Sequence, residues 1–286
     1  MIPHFDYYVP KTLEEGCDFL WKEGGNAKII AGGTDLVVGL RDGNLKPRYL
    51  VDITRIPELR HIEERNGFFS IGASVTHSQI VSSPFIQKSA RILSHAACQI
   101  GSPQIRNLGT LGGNIVNASP AADTIPPLIV LDAVARVLSK EGERKIPLVE
   151  LFQSPYQTTL KPCEMLAEVC FRKLPSDMRW AFVRLARRGA MAIARMSVAV
   201  LLRKVKSRIK DIRICVGAVT PIPQRMSEAE ALLKDGAPDE ALLKMASLKI
   251  SEAMIRQSGI RPSTSYKRPV VEALFIRAAR IALEDA

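Results

Sequence analysis

The sequence contains no Cys-x-x-Cys pair. Its five cysteines, Cys17, Cys98, Cys163, Cys170 and Cys215, therefore offer no pattern for an iron–sulfur cluster or a zinc site. The odd number argues for free thiols. The four histidines, His4, His61, His77 and His95, lack metal-ligand spacing and read as surface or satisfied core residues. No Gly-x-Gly-x-x-Gly follows a strand and no phosphate-loop lysine motif occurs, which removes the main support for Rossmann and P-loop nucleotide binding. Long apolar runs are missing too. The longest, near Thr124 to Leu138, is broken by Asp132 and Arg136 and contains Pro126 and Pro127, so no integral membrane association is expected. The first residues, Met1-Ile2-Pro3-His4-Phe5-Asp6, lack the basic and apolar regions of a signal peptide, and a cytoplasmic location is expected.

Acid is absent from one stretch. Between Met178 and Lys210 the chain carries Arg179, Arg184, Arg187, Arg188, Arg195, Arg203, Lys204, Lys206, Arg208 and Lys210 with no Asp or Glu, against a net charge of +11 overall. The run alternates with Phe182, Leu185, Met196, Val198 and Val200 in strand fashion and has only two aromatics, which argues against a nucleic-acid groove. A solvated face, or a face toward an anionic cofactor or acidic partner subunit, remains.

At 286 residues and 47% hydrophobic content, the chain can bury a proper core. Its most informative segments are two glycine pairs, Ala31-Gly32-Gly33-Thr34-Asp35-Leu36 and Thr110-Leu111-Gly112-Gly113-Asn114-Ile115. Adjacent glycines let the backbone turn and approach a ligand, and successive N–H groups then form an anion nest. The first pair follows a short strand at Lys28 to Ala31 and leads into Leu36, Val37 and Leu40 at helical spacing.

Around these pairs the pattern predicts an α/β unit: a helix after a Thr12/Glu15 capping box, stopped at Gly24-Gly25, and strands before Gly32 and at Arg48 to Ile53. Asn66-Gly67 predicts a hairpin between Leu59–Glu64 and Phe68–Ala73, a long helix is expected from Pro84 to about Cys98, and Glu141-Gly142 marks a second hairpin. A strand follows Lys161-Pro162 and ends at Pro175. Beyond Pro175 three antiparallel strands (Trp180 to Leu185, Ser197 to Val205, Ile209 to Val219) precede three helices. The first is expected to be capped by Ser227 with Glu230, the second to open at Pro238-Asp239-Glu240, and the last to carry Val271, Leu274, Ala278 and Ile281 on one stripe.

The segment Ile100-Gly101-Ser102-Pro103-Gln104-Ile105-Arg106-Asn107-Leu108-Gly109-Thr110-Leu111-Gly112-Gly113-Asn114-Ile115, continued by Asn117 to Asp123, resembles the FAD-binding medium subunit of the molybdenum hydroxylases, the carbon monoxide dehydrogenase and xanthine dehydrogenase family. Ala31 to Leu36 lies at the expected distance upstream, and Gln224 to Leu233 and Tyr266-Lys267-Arg268 are similar to the C-terminal domain of the same subunits. The resemblance implies an α+β chain: a two-subdomain FAD-binding domain of the vanillyl-alcohol oxidase type at 1–176 (subdomains about 1–55 and 56–176), then a small α+β domain with a three-stranded antiparallel sheet at 177–286. By position it places Ile29, Ile30, Ala31, Gly32, Gly33, Thr34, Asp35 and Leu36, and Thr110, Leu111, Gly112, Gly113 and Asn114, along the FAD pyrophosphate and ribityl chain. Asp123 would make a polar contact with the cofactor, with a helix N-cap as its alternative. Ile100, Leu166 and Arg184 would approach the flavin, with core packing the alternative for Leu166 and a surface role for Arg184.

The resemblance further implies an electron outlet: a small subunit with two [2Fe–2S] clusters passes electrons from a large molybdenum-cofactor subunit to this FAD, within a dimer of heterotrimers, and an external acceptor removes them. A self-contained FAD oxidase or dehydrogenase is the alternative.

Overall fold

The computed structural model describes residues 3–189 and 191–284. The first unit alternates strand and helix: β1 (Asp6–Tyr8), α1 (Leu13–Glu23), β2 (Ala27–Ile30), α2 (Leu36–Arg41) and β3 (Tyr49–Asp52). Its strands pair parallel in the order β1-β3-β2, so all three carboxyl ends, and the Gly32-Gly33 turn with them, share one edge. The hydroxyl of Thr12 caps α1 by accepting from the Glu15 N–H. The Glu15 carboxylate returns to the Lys11 N–H instead of Thr12, so only half of the expected capping box forms.

The second unit runs β4 (Ile62–Arg65), β5 (Phe68–Gly72), six short helices, α3 (His77–Ser82), α4 (Pro84–Ser89), α5 (Arg91–Cys98), α6 (Pro103–Leu108), α7 (Leu111–Asn117) and α8 (Ile125–Val130), and then β6 (Val134–Ser139), β7 (Gly142–Pro147), β8 (Phe152–Ser154), β9 (Gln157–Thr158) and β10 (Met165–Arg172). Asn66 and Gly67 both adopt positive φ (52° and 76°), the geometry of the tight hairpin their sequence predicts. The antiparallel sheet has the order β4-β5-β10-β6-β7. The long helix expected from Pro84 is broken at Ala90, which has φ −144° and ψ 46°. Ile86, Ala90 and Leu93 are buried on either side of and at the break.

The third unit is β11 (Met178–Ala186), β12 (Ala194–Val205), β13 (Arg208–Gly217), β14 (Gln224–Arg225), α9 (Ser227–Leu233), α10 (Glu240–Ser258) and α11 (Thr264–Glu284). Its sheet gains a fourth, two-residue strand, β14, that the sequence reading did not include. Asp239 caps α10 as expected, accepting from the Leu242 N–H. Ser227 does not cap α9: the position before the helix is Met226, and Glu230 instead binds the Ile214 N–H and Arg225. On α11 Val271, Leu274 and Ala278 are buried, while Ile281 is 40% exposed and lies off the stripe.

The C-terminal sheet is the middle layer of the molecule. Val198, Val200 and Leu202 of β12 join one apolar cluster with α10 and α11, and the alternate residues Ala199 and Leu201 join the cluster of the first two units. This is the period-two alternation of a strand buried on both faces.

Candidate functional site

The first glycine turn leaves β2 at Ile30 and enters α2 at Leu36. Gly33 sits at φ +69°, where an L side chain is strained. The five successive N–H groups of Ala31, Gly32, Gly33, Thr34 and Asp35 have no protein acceptor among the described residues. Five unused donors in a partly exposed turn at the carboxyl edge of a parallel sheet constitute an anion nest.

The second glycine pair is built differently. Thr110 is the N-cap of α7, its hydroxyl accepting from the Gly113 N–H at 3.0 Å. The N–H groups of Leu111, Gly112 and Asn114 go to the carbonyls of Val75, Ala73 and Thr110. The expectation of free N–H groups in this pair is therefore corrected: all four are already bonded. Gly112 is needed for proximity, since a Cβ there would lie 2.6 Å from the Cβ of Ala73. Asn114 accepts from the Thr124 hydroxyl at 2.6 Å through its side-chain oxygen, which leaves its amide N–H groups as the outward donors of this turn.

Two contacts bring the turns together. A Cβ on Gly32 would stand 1.9 Å from the Leu108 carbonyl oxygen, so the first turn lies directly on the Leu108–Gly109 backbone. On its other side that backbone is held by residues 73–77: the His77 N–H donates to Gly109 and a bridge joins Thr76 to Thr110. The sequence reading ended the strand at Ala73 and gave residues 74–77 no element; Gly72, whose Cβ would lie 2.3 Å from the Leu59 carbonyl, is the signal that marks this shelf. His77 is 2% exposed and its Nδ1 has no partner among the described residues, so it is not the satisfied core histidine expected. Burial, with the Arg106 charge behind it, pushes its pKa down to about 4.

Ile100 lies in the turn between α5 and α6, where the Arg106 guanidinium binds the carbonyls of Ile100 and Gly101. Leu166 is buried on β10, beside the irregularity at Ala167, whose carbonyl accepts from Ala73 of the shelf. Asp123 and Arg184 meet across the boundary between the second and third units at 2.7 Å, with side chains 7% and 4% exposed. This excludes a surface role for Arg184 and a helix cap for Asp123. Burial pushes the Asp123 pKa up to about 6, and Arg184 opposes that rise. The Asp123 Oδ1 is buried with no hydrogen-bond partner among the described residues, which leaves it able to accept from a bound group.

Among the described residues no group of His, Cys, Asp and Glu could hold a metal ion, and no helix is long and apolar enough to cross a membrane. Part of the basic run is taken up within the protein: Arg203 pairs with Asp177, Lys210 with Asp235, and Arg179 donates to the Leu283 carbonyl.

The first unit thus carries a turn of unbonded backbone donors, and the second unit holds a buried carboxylate at its contact with the third. Residues 3–173 match the FAD-binding domain of molybdopterin dehydrogenases and residues 180–282 the C-terminal domain of carbon monoxide dehydrogenase flavoproteins, and the chain belongs to this family of oxidoreductase flavoprotein subunits. It is 34% identical to the nicotinate dehydrogenase FAD-subunit of Eubacterium barkeri, over 95% of this chain and 93% of that protein. It is 31% identical to the carbon monoxide dehydrogenase medium chain of Hydrogenophaga pseudoflava, over 98% and 97%. A crystal structure of carbon monoxide dehydrogenase from the same organism superposes with a TM-score of 0.94 at 30% identity, covering 99% of this chain and 98% of that one.

Proposed function

We propose that this chain is the FAD-carrying electron outlet of a multi-subunit molybdenum hydroxylase. The observation that carries the reading is the row of five unused N–H groups from Ala31 to Asp35, set against a second turn whose donors are spent. In this reading residues 29–36 hold the FAD diphosphate, and Thr110, Leu111, Gly112, Gly113 and Asn114 form the wall beneath it. The Asn114 amide is that wall's donor. Ile100 and Leu166 would give apolar contact to the flavin, and Asp123, its carboxylate fixed by Arg184, would make a polar contact with the cofactor. When bound, FAD supplies the two-electron to one-electron redox chemistry. The chain's own residues bind it, keep water from the Asp123 side, and present a buried carboxyl able to hold a proton.

The domain division that goes with this reading is 1–176 and 177–286. Partners are a small subunit with two [2Fe–2S] clusters and a large molybdenum-cofactor subunit, in a dimer of heterotrimers in the cytoplasm, with no role for nucleic acid. Burial pushes the thiols of Cys17 and Cys215 up, which supports reading these cysteines as packing residues and not cluster ligands.

The test mixes the FAD-loaded chain anaerobically with candidate organic substrates, with and without partner subunits, and follows bleaching of the flavin band. Bleaching only with partners present is expected. Rapid bleaching by an organic substrate with the chain alone would establish the self-contained oxidase instead.

A further inference from the structure

One edge of the C-terminal sheet, next to the Asp123–Arg184 pair, carries further charge and apolar surface to which the reading above gives no role. Arg184, Ser197 and Gly217 are register partners across β11, β12 and β13, so the β11–β12 and β13–β14 connections leave the sheet at the same edge. The α10–α11 connection is tied to that edge, because Ser258 Oγ donates to the Val219 carbonyl at 3.2 Å and Lys267 Nζ to the Ala218 carbonyl at 2.9 Å.

Residues 185–195, 218–223 and 258–268 contain six cations, five of them arginine, and no acid. Arg187 and Arg195 are exposed, Arg261 donates to the Ser258 carbonyl and Lys267 to that of Ala218, and none of these four meets a carboxylate among the described residues. The same connections carry the two most exposed large apolar side chains among the described residues, Ile193 at 81% and Ile260 at 87%. Arg268 has Glu272 at 3.6 Å, but like charges such as Arg187, Arg195, Arg261 and Lys267 gathered without a carboxylate repel one another, and bare isoleucines lose the benefit of burial. An acidic surface with an apolar centre relieves both.

We propose that this edge is the docking surface for an acidic partner subunit, with carboxylates meeting the arginines and apolar side chains covering Ile193 and Ile260. Two features favour protein over lipid. Five of the six cations are arginines, suited to bidentate carboxylate contacts and enriched in protein interfaces, and the exposed apolar groups are Ile193, Ile260, Met191 and Tyr266, with no tryptophan or phenylalanine among them. The inference rests on the reading that the chain works inside a multi-subunit oxidoreductase.

The full chain is co-expressed with the cluster-bearing and molybdenum-bearing subunits as parent, as R187E/R195E/R261E, as the neutral R187Q/R195Q/R261Q, and as I193S/I260S. Flavin content per chain and the fraction in the assembly are measured for each, and parent assembly is followed as salt rises. All four are expected to keep the parent's FAD stoichiometry. The reversal set should assemble at least about tenfold more weakly, the neutral set and the isoleucine pair by an intermediate factor, and parent association should weaken with salt. Assembly of the reversal and neutral sets within about twofold of the parent overturns the proposal. So does parent binding to anionic phospholipid vesicles that the reversal set loses while its assembly is unchanged, which assigns the edge to a membrane. A parent that holds FAD but captures no partner sinks both this inference and the electron-outlet reading, and leaves the flavin site standing.

Discussion

The alpha carbon of Gly32 lies so close to Leu108 that the smallest side chain would collide with its carbonyl oxygen, at 1.9 Å. This contact fixes the order in which glycine substitutions should hurt. Gly32→Ala must push two backbones apart. Gly33→Ala is strained by its positive φ but meets only the side chains of Val37 and Ile30 at 3.3 Å and beyond. Gly113→Ala meets only the Thr110 hydroxyl, at 2.9 Å. Loss of FAD affinity, read by flavin fluorescence, should therefore fall from Gly32→Ala through Gly33→Ala to Gly113→Ala. The last should cost about 1 kcal/mol, the value of a disturbed cap. A Gly113→Ala variant as defective as Gly32→Ala would contradict the assignment of open donors to the first turn alone.

Breaking the Asp123–Arg184 pair from one side leaves the other charge buried across a domain boundary. Arg184→Met is expected to cost about 3–5 kcal/mol in denaturant unfolding. Asp123→Leu/Arg184→Met together should recover much of that loss, while still weakening FAD binding through the missing acceptor. Equal destabilisation of the single and double variants would show that the pair does not act as a unit.

His77 and Asp123 make opposite contributions to the pH dependence of stability. For His77 the folded pKa, about 4, lies below the ordinary imidazole value of 6.5. The unfolded chain then binds more protons between these limits, and stability is lost as pH falls through them. At roughly 1.4 kcal/mol per pKa unit, about 3 kcal/mol is at stake. For Asp123 the folded pKa, about 6, lies above its ordinary 3.8, so the native state binds the extra proton and stability is lost as pH rises from 3.8 to 6. Between pH 4 and 6, His77→Gln should show a shallower fall on acidification than the parent and Asp123→Asn a steeper one. The check is urea midpoints across that range. A pair of variants whose pH profiles parallel the parent would refute both assignments.

Thr110→Val removes the hydroxyl that caps α7 and accepts from Gly113. The expected loss is about 1 kcal/mol of stability, together with a rise in FAD dissociation, since the freed Gly113 N–H loosens the wall beneath the cofactor. Thr110→Ser should restore both. If it restores stability but not FAD retention, the methyl group and not the cap is what matters.

The sequence announces both glycine pairs because only glycine fits a positive φ at Gly33 or a backbone contact at Gly32 and Gly112. It does not reveal which pair keeps its donors free. That depends on Ala73 and Val75, which lie far upstream of Gly112 and satisfy the second pair only after the chain has folded back. The family resemblance brings out Asp123 and Arg184 individually, yet their pairing spans 61 residues and a domain boundary, and no local pattern encodes it. Strands, hairpins and the α10 cap are legible because they rest on neighbours within a few residues. The fourth strand β14 is not, since its two residues are too few to show an alternation.

Because alternate residues of β12 belong to different clusters, the C-terminal sheet is wall to one domain and floor to the other. Cutting the chain near residue 176 would strip apolar cover from α5 and α8 on one side and from the sheet on the other. The two pieces have no separate life: heat should melt them in a single step, with the flavin signal and the Trp180 fluorescence lost at the same temperature. A partner that grips the C-terminal edge would thereby steady the Asp123–Arg184 pair, because the Arg184 guanidinium also donates to the Ala192 carbonyl of the β11–β12 connection and the Ala218 N–H to Pro120.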